Sequence, residues 1–154
     1  METEHKLRIG VFTGTFDPFT IGHQNITERA LKLFDELYIA IAVSKRKNTE
    51  KEIEERLKDI DELYTDNNKV KVITYSDLTV DMCKRIGADT IVRGVRSIRD
   101  FEYEREQADI NKQMGGVETL LLFAEPRFES ISSTLVRELK FFGRDVTEFL
   151  PEKK

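Results

Sequence analysis

The chain has 154 residues, 39% of them hydrophobic and 35% charged, with eight Gly, three Pro and a single Cys. That is length for one core, without the bias of a low-complexity chain or the cysteine density of a disulfide scaffold. A total of 25 Lys and Arg against 29 Asp and Glu leaves a formal charge of −4, which argues against a broad nucleic-acid or anionic-membrane surface but not against a local basic site. Cys83 stands alone, so an intrachain disulfide and a Cys-rich zinc site are excluded. Met1 to Lys6 lacks the apolar stretch of a secretory signal, and no run approaches the roughly 18 apolar residues of a membrane span. A cytoplasmic protein with no nucleic-acid and no membrane partner is expected, and the Asn25-Ile26-Thr27 sequon then carries no glycosylation.

In chain order, Arg8 to Thr13 is a short apolar run ending at Gly14, which predicts a strand, with Asp17-Pro18 punctuating the loop beyond it. From Gly22 to Phe34 the residues Ile26, Ala30, Leu33 and Phe34 recur at helical spacing, and Leu37 to Val43 follows as an almost wholly apolar strand. A strand apolar on both faces belongs inside a parallel sheet covered on both sides. Ser44 to Asn48 is a loop. Thr49 to Glu52 matches a capping box, and Ile53, Leu57, Ile60 and Tyr64 continue that helix. An Asn67-Asn68 turn precedes a strand at Val70 to Tyr75, a short helix at Leu78 to Ile86 closed by Gly87, and a strand at Thr90 to Arg93. Ile98 to Met114 is a charged helix stopped by Gly115-Gly116. Val117 to Phe123 is the last strand, before a Ser-capped helix from about Ser133 to Phe142.

Five β-α repeats predict an α/β fold, a single-domain Rossmann-like doubly wound sheet of about five parallel strands flanked by helices, spanning 1–154. The ligand crevice of such a sheet lies at the carboxyl ends of the strands. There the segment Thr13 to His23 joins the first strand to a helix N-terminus, whose free N–H groups and positive dipole suit a phosphate. Gly14 and Gly22 would allow close backbone approach to the ligand, and His23 would present an imidazole donor. Ser132, Ser133 and Thr134 open the last helix with hydroxyls that suit triphosphate oxygens. Arg93 ends a buried strand on the rim, where an unpaired guanidinium is costly, so an anionic ligand is expected beside it. Cys83 reads as a small buried hydrophobe, His5 as a tail residue, and the ten Phe as mostly core, with Phe141 and Phe142 at a subunit interface.

Thr20-Ile21-Gly22-His23 resembles the Thr/His-x-Gly-His signature of the nucleotidyltransferases related to class I aminoacyl-tRNA synthetases. Ile131-Ser132-Ser133-Thr134-Leu135-Val136-Arg137 resembles the element that pairs with it in the adenylyl-transferring members. Arg93-Gly94-Val95-Arg96, Asp100 to Glu104, Gly14 to Pro18 and Asp145 to Pro151 are similar to segments of the phosphopantetheine adenylyltransferase family, over nearly the whole chain. The resemblance implies ATP and 4′-phosphopantetheine as substrates and dephospho-coenzyme A and pyrophosphate as products. It implies an ATP site at Thr15, Phe16, His23, Gly94, Val95, Arg96, Glu104 and the run Phe128, Glu129, Ser130, Ile131, Ser132, Ser133 and Thr134. It also implies a phosphopantetheine site at Thr15, Lys47, Thr79, Arg93 and Asn111, although Thr79 stands where some members have Met. Lys45 and Arg46, beside Lys47, read as surface charges.

An ionised substrate phosphate is already a nucleophile, so in-line attack on the α-phosphorus requires neither a covalent intermediate nor a strong base. His23, Lys47, Arg93 and Arg96 are therefore expected to align the substrates and stabilise charge. No protein metal site is expected, because no multi-carboxylate cage is evident; Mg²⁺ should arrive with ATP. The family implies a homohexamer. Rival readings are a nucleotidyltransferase acting on nicotinamide mononucleotide or a CTP-dependent one acting on a polyol or choline phosphate. A nucleotide-binding module without turnover is another; a tRNA synthetase is disfavoured by the short, acidic chain.

Overall fold

The sheet has the order β3-β2-β1-β4-β5 with every neighbouring pair parallel, in a computed structural model that describes residues 6–153. His5, expected in a tail, lies outside the described residues. The elements run β1 (Ile9–Gly14), α1 (Ile21–Ala30), β2 (Glu36–Ala42), α2 (Glu50–Asp61), β3 (Val70–Tyr75), α3 (Thr79–Ile86), β4 (Thr90–Val95), α4 (Ile98–Gly115), β5 (Glu118–Phe123) and α5 (Ser133–Phe141). Short 3-10 turns occupy Glu62–Tyr64, Pro126–Phe128 and Thr147–Phe149. The predicted α/β alternation and parallel sheet are present. No helix among the described residues is long and apolar enough to cross a membrane.

Side chains alternate across a strand, and the core divides accordingly. Phe12, Ile39, Ile41 and Val92 face one side, where Ile26 and Ala30 of α1 and Ile60 of α2 cover them. Val11, Ala40 and Ile91 face the other, beneath Met82 and Cys83 of α3. Cys83 is fully buried and its thiol is pushed up to about 11 by that burial, so the core reading holds. The Phe expectation needs correction. Phe12, Phe16, Phe19, Phe34 and Phe128 are buried, but Phe101 and Phe123 are exposed, on the outer face of α4 and at the end of an edge strand; Phe141 and Phe142, expected at a subunit interface, are exposed as well.

Among the boundaries that differ from the sequence reading, two change what a residue packs against. The first helix stops at Ala30 rather than Phe34: Leu33 N–H bonds the Ala30 carbonyl in a tightened turn. Phe34 then leaves the helix and lies against Gly10, where a Cβ would come within 2.8 Å of its ring. The fourth strand continues past Arg93 to Val95, so Arg93 is inside the strand rather than at its end. β1 pairs with β4 only from Gly10↔Thr90 to Phe12↔Val92. Beyond that point the ladder between these two strands ends, and Thr13, Gly14, Arg93 and Gly94 line the crevice at the point where strand order reverses.

Candidate active site

The start of α1 sets the first functional group. Thr20 caps the helix and, in a capping box, the third helical residue usually returns a carboxylate or amide to the cap N–H. His23 does this with its ring: Thr20 N–H donates to Nδ1 at 2.9 Å, and His23 N–H reaches Thr20 Oγ1 at 3.4 Å. With Nδ1 accepting, a neutral imidazole must carry its proton on Nε2. The ring lies edge-on to Phe16 at 5.0 Å and against Phe19 at 5.4 Å. Burial, followed by the charges of Arg93 and Arg96, lowers its pKa to about 4. Near neutral pH it is therefore an uncharged Nε2–H donor.

Phe16 forms the floor beneath it and is the only described non-glycine residue with positive φ, +47°. A left-handed Phe is strained by about 1 to 3 kcal/mol, and edge contacts with Phe12 at 5.0 Å and Phe19 at 5.3 Å hold it there. At Gly14, which lines the crevice, the fold itself also limits the side chain: a Cβ would lie 3.0 Å from the Phe16 ring. At Gly22 a Cβ would make only ordinary contact, 3.4 Å from Thr20 Oγ1.

Arg93 departs from its expected surroundings. Its anionic partner is internal: Nε donates to Glu104 Oε2 at 2.8 Å and Nη2 to Oε1 at 2.7 Å, while Nη1 bonds the Thr13 carbonyl. Glu104 is 5% exposed. Burial alone would lower the guanidinium's pKa, but the Glu104 hydrogen bonds and charge outweigh it and raise the value. The bidentate fork fixes the cation where the β1–β4 ladder has ended. Arg96 is more open, its Nε 3.4 Å from Asp100.

Two cavities meet at this pair. One, about 340 Å³, is lined by Gly22, His23, Arg96, Phe128, Ile131 and Ser132 to Thr134, among others. The other, about 280 Å³, is lined by Tyr75, Thr79, Gln107, Asn111 and Thr119, among others. Both include Thr13, Gly14, Thr15, Arg93, Tyr103 and Glu104. Ser132 caps α5 through Leu135 N–H at 3.0 Å, and Ser133 Oγ donates to the Pro18 carbonyl at 2.7 Å. The residues assigned to the two substrates thus largely divide between two adjoining cavities. Lys47 is exposed on the β2–α2 loop and lines neither; Glu129 and Ser130 are likewise exposed and outside both.

Sequence reasoning missed Thr13, Tyr75, Tyr103 and Thr119 as lining residues. The Tyr75 hydroxyl lies 3.2 Å from Thr79 Oγ1, and the buried Thr119 Oγ1 has no hydrogen-bond partner among the described residues. Neither had a local signal, since a Tyr or Thr in an apolar run looks like any strand residue. Among the described residues no group of three or more His, Cys, Asp or Glu is placed to hold a metal. The carboxylates nearest the first cavity, Glu104 and Asp100, are committed to Arg93 and Arg96. The protein residues thus do not fit a metal cage.

A parallel sheet opening at its reversal point onto a helix N-terminus, a neutral histidine and two arginines defines a nucleotide-handling α/β enzyme. Residues 11–139 match the cytidylyltransferase-like family. A phosphopantetheine adenylyltransferase of Phocaeicola vulgatus is 51% identical over 146 residues, 95% of this chain and 97% of that protein. One of Porphyromonas gingivalis is 50% identical over 147 residues, 96% of each chain. The chain belongs to the cytidylyltransferase-like nucleotidyltransferases and, within them, to the phosphopantetheine adenylyltransferase family. A bifunctional NMN adenylyltransferase/ADP ribose pyrophosphatase from Francisella tularensis superposes with a TM-score of 0.74 over 97% of this chain at 16% identity. This chain spans 46% of that one, and the likeness bears on the fold alone.

Proposed function

We propose that the protein transfers the adenylyl group of ATP to 4′-phosphopantetheine, giving dephospho-coenzyme A and pyrophosphate. The observation that carries this reading is the pair of cavities meeting at Thr15 and Arg93. ATP occupies the cavity beside His23, Arg96 and Ser132 to Thr134. The pantetheine arm occupies the one lined by Thr79 and Asn111, and the two phosphate ends face each other across Thr15. A phosphate oxygen of phosphopantetheine attacks the α-phosphorus in line, the bond from that phosphorus to the bridging oxygen breaks, and pyrophosphate leaves.

No protein base is needed. His23 holds its proton on Nε2 and donates it as a hydrogen bond to a phosphoryl oxygen whose charge grows at the transition state. Arg96 adds charge from the rim of the same cavity, and Arg93, locked by Glu104, contributes a fixed cation where the two sites join. Lys47 approaches the incoming phosphate from its loop. Magnesium enters as the counter-ion of ATP, and no step depends on a protein ligand for it.

In solution the active form is a homohexamer of the cytoplasm, in which exposed apolar residues such as Ile98, Phe101, Ile110 and Met114 on α4 are covered. Sedimentation at the mass of a single chain would refute the assembly. Pyrophosphate release with ATP, measured with and without phosphopantetheine, tests the reaction. Release should depend on phosphopantetheine, and faster turnover of nicotinamide mononucleotide at equal concentration would displace the assignment.

A further inference from the structure

The loop between β1 and α1 is held from outside by three side chains. Arg56 of α2 donates from Nη1 to the Thr15 carbonyl at 3.2 Å and places Nη2 3.5 Å from the Asp17 carboxylate. Arg137 of α5 donates to the Asp17 carbonyl at 2.6 Å, and Ser133 to that of Pro18. Three of the four carbonyls from Thr15 to Pro18 are thus held by donors on other elements. The N–H groups of Thr15 and Phe16 make no hydrogen bond among the described residues. In a trans peptide the C=O and the next N–H point in opposite directions. Holding the Thr15 carbonyl outward therefore turns the Phe16 N–H away from Arg56.

Arg56 is only 13% exposed and lines a third cavity of about 480 Å³, behind the loop, shared with Phe16, Asp17, Phe19 and Lys153. It stands two turns into the helix that begins just after the Lys47 loop, so one rigid element joins the two loops assigned to the phosphates. The fork holds the peptide just before Phe16, whose left-handed backbone the contacts with Phe12 and Phe19 already constrain.

We propose that Arg56 is a positioning residue for the transfer reaction, gripping Thr15 and Asp17 from behind so that the Phe16 N–H faces the ATP phosphates. This rests on the reaction proposed above. Arg56→Ala should bind ATP about tenfold or more weakly by calorimetry and lose about a hundredfold in kcat. Because the guanidinium sits against an open cavity, guanidinium chloride well below denaturing concentration should recover a large part of both losses in Arg56→Ala and neither in His23→Ala. Arg56→Lys, which keeps a cation beside Asp17 but cannot fork to both groups, should weaken ATP binding in the same direction even if the Ala variant fails to fold. Wild-type ATP affinity in Arg56→Lys, or losses in Arg56→Ala that guanidinium does not recover, would overturn the proposal. Wild-type protein that binds ATP yet forms no dephospho-coenzyme A would sink the reaction instead, and Arg56 would then be judged on ATP affinity alone.

Discussion

At His23 the ring that closes the helix cap is the same one that the proposed reaction uses as a donor. Nδ1 is committed to the Thr20 N–H, so tautomer and orientation are set before any nucleotide arrives. Removing one such donor costs about a hundred- to a thousandfold in turnover. His23→Ala should show that loss in kcat while phosphopantetheine affinity by calorimetry stays within a few-fold of wild type; lost affinity with turnover intact at saturation would make His23 a ground-state contact. The depressed pKa also has a consequence for stability. In the folded chain the ring titrates at about 4 against 6.5 unfolded. Between those values the unfolded chain binds more protons, so stability is fully present above about pH 6.5 and falls as pH drops toward 4. In urea unfolding at pH 7 and pH 5, wild type should lose more stability than His23→Gln, and parallel losses would count against a neutral buried ring.

Among the elements, the β2–α2 loop separates two kinds of cation. Lys45, Arg46 and Lys47 are all exposed, and only Lys47 is assigned to the substrate in the reaction proposed above. Lys47→Ala should strongly raise the KM for phosphopantetheine or lower turnover, whereas Lys45→Ala should change little; equal effects would indicate a diffuse field instead. What was legible in the sequence at this scale was whatever rests on periodicity and caps. β3 runs from Val70 to Tyr75 as expected, and the Thr49–Glu52 box caps α2. The overrun of α1 to Phe34 came from apolar spacing that continues after the backbone has turned, with Phe34 packing on Gly10 of a strand. The site's glycine-histidine and serine motifs were legible because they are local. The Glu104 partner of Arg93 was not, since a charge eleven residues away on the next helix shows itself only when β4 and α4 pack.

On the scale of the whole molecule, the Arg93–Glu104 pair ties β4 to α4 and, through the Thr13 carbonyl, to β1 where the ladder between the two central strands has ended. Its contribution to folding can be separated from its contribution to the site. A buried pair owes much of its apparent strength to the penalty of leaving one partner alone, and breaking it typically costs about 3 to 5 kcal/mol, whereas an apolar replacement of both partners is often neutral. Glu104→Ala should therefore unfold at markedly lower urea, with Arg93 left without its carboxylate in the crevice. Arg93→Met combined with Glu104→Leu should recover most of that stability and none of the activity, because the fixed cation between the two cavities is gone. Product formation by the stable double variant would show that the pair is architecture alone. A double variant as unstable as Glu104→Ala would show that the split crevice requires a charge to bridge it.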